Sequence, residues 1–174
     1  MERISRIVVN VIFCIQVLLI FLLFVEDKVL LPAWLQVAGR MHPLVLHLPI
    51  GILIFLVVIV FFQKQLDSSF TNEIIHIGLV ITSLSASIAA LFGFFLSLQS
   101  DYGTAVLMRH KASGIILSFL CYAVLLWHRG GMKRSVFLAL GSVSFLMLVV
   151  AGHTGAVLTH GENFLFAPIS KSTV

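Results

Sequence analysis

Five long apolar runs, separated by short polar connections, set the pattern of this chain. They cover about residues 7–25, 43–63, 74–98, 108–127 and 136–157. Each matches the ~20 residues that a helix needs to cross a bilayer core. None alternates with the period of two expected of barrel strands, so each run must satisfy its own backbone as a helix. The expected fold is an all-α integral membrane protein with five transmembrane helices, one N-terminal helix plus a four-helix bundle. Its parts are an N-terminal transmembrane helix at 1–26, an outer loop at 27–42, the bundle at 43–161 and an outer C-terminal tail at 162–174.

Local signals refine the boundaries. The first run is longer than the roughly 7–15 residue core of a signal peptide, and Glu26-Asp27-Lys28 follows it without a small-residue cleavage site. It therefore reads as a retained helix. Pro32, Trp34 and Leu35 suggest a short segment lying on the outer interface. Pro43 suits a first helical turn, with His42 flanking it, and Pro49 is expected to kink the second helix or free a carbonyl near His47. A polar connection at 64–69 leads to the third run. There Gly78, Thr82, Ser85, Ala86, Ala89 and Gly93 form a stripe that admits close approach by a helix or a flat ligand. Asp101-Tyr102-Gly103 is a turn signal.

Arg3 and Arg6 before the first run, and Arg129, Lys133 and Arg134 after the fourth, place the N-terminus in the cytoplasm by the positive-inside rule. With Lys64, six of the eleven Lys and Arg fall inside and five outside. The tail is then expected on the outer side.

Composition leaves no room for a sizeable soluble module: 60% of the residues are hydrophobic, 10% are charged, and the mean hydropathy is +1.12. The formal charge of +4 does not imply nucleic acid, because the basic residues are scattered at the ends of apolar runs as interfacial anchors. Cys14 and Cys121 lie in separate runs and are expected as buried, unpaired thiols. No Cys-x-x-Cys-His is present for covalent haem attachment.

The distinctive chemistry is imidazole. His42, His47, His110, His153 and His160 all fall at the outer end, and His76 and His128 at the inner end. His153 and His160, seven residues apart, face one way about 10 Å apart along a helix. Ionisable groups at membrane depth are costly without partners, so five on one side point to function. Haem b held between imidazoles of facing helices is the leading reading. His47 with His153 would form one tier and His42 with His160 a second, His110 being able to replace a member of either, so that one or two haems are accommodated. Gly51, Gly114, Gly152 and Gly155 leave bare backbone beside these histidines, and Arg40, Arg109 and Lys111 stand where propionates would lie. The chain would carry electrons with a c-type cytochrome or another respiratory-complex subunit, or with quinol, in contact with membrane lipid. A non-haem metal site built from the same five histidines is the alternative, and a non-catalytic structural subunit is another. Neither an oriented nucleophile nor a phosphate-cradling loop supports a stand-alone enzyme.

Three stretches together, Gly39-Arg40-Met41-His42-Pro43-Leu44-Val45-Leu46-His47-Leu48-Pro49-Ile50-Gly51, then Asp101-Tyr102 with Leu107, His110 and Gly114, then Gly152-His153-x-Gly155-x-x-Leu158-Thr159-His160-Gly161-Glu162-Asn163-Phe164-Leu165, carry a resemblance. The chain resembles, over about residues 39–166, an uncharacterised bacterial membrane-domain family. In planctomycete and Bacteroidetes-type bacteria similar domains are often followed in the same chain by a periplasmic c-type cytochrome module. The resemblance implies an electron-transfer setting with the five outer histidines at its active end. His76 and His128 match nothing in the pattern. No cytochrome module stands in the 174 residues, so such a partner is expected to be a separate polypeptide, and Ala112-Ser113 stands where relatives often carry an aromatic residue beside the histidine.

Overall fold

A computed structural model describes residues 2–99, 104–131, 133–162 and 168. In order it contains α1 (Glu2–Phe24), a 3-10 turn (Glu26–Lys28), α2 (Ala33–Arg40), α3 (His42–Val45), α4 (His47–Phe62), α5 (Ser68–Ser97), α6 (Thr104–Arg129) and α7 (Arg134–His160). No strand occurs among the described residues. Among these residues five stretches are long and apolar enough to cross a membrane: Ser5–Phe24, Ala33–Phe62, Ser68–Ser97, Ala105–Arg129 and Arg134–His160. The chain is thus an all-helical, multi-pass membrane protein, as the run pattern predicts. The turn expected at Asp101-Tyr102-Gly103 and most of the expected tail, 163–167 and 169–174, lie outside the described residues.

α1, α5, α6 and α7 are longer than their apolar runs because a helix continues while its backbone bonds are satisfied, whatever its side chains, whereas α4 is shorter because its run is broken at Leu46. α5 starts six residues ahead of the expected 74, where Asp67 caps it: its Oδ1 accepts the Phe70 amide at 2.9 Å and the Ser69 hydroxyl at 2.7 Å. The Phe70 amide first, then the Ser69 hydroxyl, hold the Asp67 carboxyl below its ordinary value. A carboxylate lowered on folding stabilises above its unfolded pKa, roughly 3.9, and loses that contribution as pH falls through the lower folded value. The protection factor of the Phe70 amide, its exchange rate corrected for the intrinsic rate at each pH, is therefore expected to fall as the medium is taken from about pH 6 down through the lowered pKa of Asp67, and to be low throughout in Asp67→Ala. An identical pH profile in the two proteins would refute the cap.

α5 is the hub, packing against α1, α2, α3, α4 and α6. Its small residues serve this role. A Cβ on Gly78 would fall 2.6 Å from a methyl of Leu56, which shows how closely α4 lies on it. α1 presents Val9, Ile12, Gln16 and Leu19, a buried stripe at three- and four-residue spacing. Val9 and Ile12 join Leu56, Ile75, Leu79, Val124 and Leu125 in one core cluster, and Leu19 joins Phe94 and Phe95 in another. Between the two clusters Gln16 Nε2 donates to Ser87 Oγ at 2.8 Å and Ser118 Oγ at 3.5 Å, tying α1 to α5 and α6. Cys121 is buried as expected, but Cys14 is exposed, because its position on α1 points away from the Val9–Leu19 stripe. α4 and α7 barely touch, leaving between them an apolar fissure of about 380 Å³ floored by Leu79, Cys121 and Val124.

The segment expected as an outer loop holds most of the surprise. α2 does not merely rest on an interface; it is fastened to the end of α5. Gln99 Nε2 donates to the Gln36 and Phe95 carbonyls, each at 3.1 Å, and Gln99 Oε1 accepts Arg40 Nε at 3.3 Å. Gly39 is buried against the α5 backbone: a Cβ there would lie 2.8 Å from Leu96 N and 3.0 Å from the Phe95 carbonyl carbon. Glu26 pairs with Lys111 of α6 across the same end. The expected break near His47 falls at Leu46, between α3 and α4, where Pro49 has no N–H to give the Val45 carbonyl.

Candidate functional site

The break at Leu46 leaves α3 as a single turn whose first residue, His42, is turned onto α5. The His42 ring lies over Gly93, where a Cβ would sit 3.0 Å from its Cε1, and its Nδ1 is 2.9 Å from the Ala89 carbonyl oxygen. At the same end of the bundle α6 delivers His110 to α7 in the same manner. That ring lies over Gly155, with Cε1 again 3.0 Å from the position of an added Cβ, and Nδ1 is 3.0 Å from the Ala151 carbonyl and 3.3 Å from Thr154 Oγ1. Ala89 and Gly93 are four apart, as are Ala151 and Gly155. One device is used twice. A missing Cβ admits the imidazole, and the carbonyl one turn earlier, which has two lone pairs, accepts a bond from the ring besides its helical one.

A carbonyl oxygen only accepts, so Nδ1 carries the proton in both rings and each neutral imidazole keeps its lone pair on Nε2. Histidines that bind a metal are usually oriented in this way, with the second ring nitrogen donating to a carbonyl or carboxylate. The two rings, both half-buried, meet edge to face with centroids 6.1 Å apart and planes at 77°. His42 belongs to the first helical hairpin and His110 to the second, and this contact joins them.

The other expected site residues are placed differently. His47, His153 and His160 have exposed side chains. Gly155 does not border a free space beside His153, because the His110 ring fills it, whereas added Cβ atoms on Gly51, Gly114 and Gly152 would meet nothing within 4 Å. Arg40 is engaged by Gln99 and Lys111 by Glu26, while Arg109 is exposed. Ala89, Gly93 and Ala151 were not singled out as parts of the site. The signal for them is the Ala-x-x-x-Gly spacing present in both the third and fifth runs. At the opposite end His76 and His128 form a second pair, stacked with centroids 6.0 Å apart at 23°.

Among the described residues no group of three or more His, Cys, Asp or Glu side chains is placed to hold a metal ion. Fold and site together define a helical membrane protein whose two hairpins each contribute one oriented imidazole to a common contact. No family model, no curated protein and no solved structure matches the chain.

Proposed function

We propose that the chain is a b-type haem-binding membrane subunit that carries electrons at the periplasmic face of a bacterial inner membrane, with His42 and His110 as the ligand pair. The observation that carries this reading is the duplicated seat: two imidazoles in contact, each with Nδ1 donating to a carbonyl and Nε2 left with its lone pair. The donor set suits haem better than a bare ion. A tetrapyrrole brings four nitrogens of its own and needs two from the protein, whereas zinc takes three or four protein ligands. His42 and His110 would be the residues that hold the group, each through Nε2.

Bound haem would supply a one-electron carrier. The chain's own part is to fix both tautomers and to keep the rings from turning. Each glycine seat restricts its ring by close contact and each carbonyl restricts it by a hydrogen bond. A c-type cytochrome, another respiratory-complex subunit or a quinol would exchange electrons at this end. The resemblance to domains fused to cytochrome modules supports that setting, as does the cytoplasmic N-terminus read from Arg3 and Arg6.

The test is a dithionite-reduced spectrum with pyridine haemochrome quantification on protein purified under haem-sufficient conditions. An alpha band with about one haem per chain is the expected result. No alpha band, with copper, zinc or iron found by elemental analysis, would replace haem by a non-haem site. Absence of both would make the chain a structural subunit.

A further inference from the structure

The end of the bundle away from α2 holds a cavity of about 800 Å³ between α1, α5 and α6, which the haem reading does not use. Its polar part is formed by Ser5 and Arg6 from the start of α1, His76 from α5, and His128 and Arg129 from the last turn of α6. Against two guanidinium groups it has one carboxylate, Glu73. Neither arginine has an ion pair with a described residue, and both are exposed. The histidines are held in place: Ser5 Oγ lies 3.3 Å from His76 Nε2, and the His128 ring stacks on His76 and contacts Phe137 at 5.8 Å between centroids.

We propose that this cavity binds a phosphate oxyanion delivered by the headgroup of an anionic phospholipid in the leaflet where α1 begins. Guanidinium groups match the paired oxygens of a phosphate, and the imidazole and hydroxyl groups add neutral donors. The rest of the wall identifies the source of the phosphate. Val8, Val80 and Ile81 continue the cavity towards the membrane interior, Ile81 lying five residues, or about 7.5 Å, beyond His76 along α5. Ile77 and Ile81 are 45% and 40% exposed, so this wall opens sideways to the lipid. A site that is cationic at its mouth, apolar along its depth and open to the bilayer has the shape of an amphiphile. By joining α1 to α5 and α6 the lipid would close this end of the bundle, as the ion pair of Glu26 with Lys111 does at the other.

The experiment uses the full chain in a neutral detergent. Thermal unfolding and native mass spectra are recorded with phosphatidylglycerol, with phosphatidylcholine, with decylubiquinone and with inorganic phosphate. Stabilisation and retained mass are expected for phosphatidylglycerol alone. Binding is expected to weaken about tenfold or more in the double variant Arg6→Gln/Arg129→Gln, in line with the loss of two charge-assisted contacts. Should that variant not fold, Ile81→Trp tests the same site by filling the apolar wall while leaving both arginines, and is expected to abolish retention. Equal effects of the two phospholipids, or undiminished binding in these variants, would overturn the proposal. An equal effect of inorganic phosphate would overturn the lipid source in favour of a small phosphoanion, and preferential stabilisation by decylubiquinone would overturn the oxyanion itself.

Discussion

His42→Ala and His110→Ala are each expected to abolish the haem alpha band, whereas His47→Ala and His153→Ala should leave it nearly intact. Removing one imidazole of a facing pair leaves a macrocycle with a single protein bond, and neither His47 nor His153 is turned inward to replace it. The fold should tolerate the change. Each ring is half-buried and hydrogen-bonded to a carbonyl that still has its helical partner, so the unmet cost is a small void over Gly93 or Gly155. Helical content by circular dichroism should therefore match the parent protein, separating loss of a ligand from loss of the bundle. Restoration of the band by millimolar free imidazole in His110→Ala would identify a vacated coordination position. Retention of a full band in both single variants would remove this pair from the ligand set, and loss in His47→Ala and His153→Ala would return the assignment to the pair that sequence spacing favours.

A second large effect is expected at Gly39. Substitution by alanine places a methyl group 2.8 Å from Leu96 N and 3.0 Å from the Phe95 carbonyl carbon, and these are backbone atoms of a helix that cannot swing aside. Overpacking of this kind costs about 1–3 kcal/mol. At roughly 2–4 °C per kcal/mol for a chain of this size, the melting temperature in detergent should fall by several degrees. Gly51→Ala and Gly114→Ala are the controls. Open space surrounds both, and a helix-interior glycine replaced by alanine gains about 0.5–1 kcal/mol, so these variants should melt at the same temperature or higher. The opposite signs make the measurement decisive: three similar shifts would show that the approach of α2 to α5 is not what Gly39 serves. Because His42 follows α2 by two residues, Gly39→Ala should also weaken the seat over Gly93.

How much of this was legible in the sequence depends on which physical pattern each feature leaves. Crossing a bilayer demands about twenty apolar residues in a row, so the five spans are plain in the chain, as is the break ahead of Pro49. Which face of a crossing helix looks inward is far less plain, because lipid and core are equally apolar and α4 is hydrophobic all round. The seven-residue spacing of His153 and His160 correctly puts both on one α7 face, yet that face is exposed. Close approach leaves its own trace in small residues, and Gly93 and Gly155 were visible as such. The sequence offers Gly155 as room for a macrocycle edge and Gly93 as part of a stripe for close approach by a helix or a flat ligand, whereas the structure fills each with an imidazole. The docking of α2 was hidden in a single glycine and in Gln99, a polar residue with no periodicity to announce it.

The contact of His42 with His110 also has a meaning in time. A ribosome adding roughly 5–20 residues per second delivers α2, α3 and α5 before any of α6 exists. The Ala89 carbonyl and the seat over Gly93 are complete with the first hairpin, so His42 is oriented early. His110 emerges soon afterwards but has no partner until Ala151 and Gly155 follow, more than forty residues later. For several seconds of synthesis one imidazole is held in its final pose while the other is free to turn. The last helix to enter the membrane thus acts as the latch on a site it does not itself ligate.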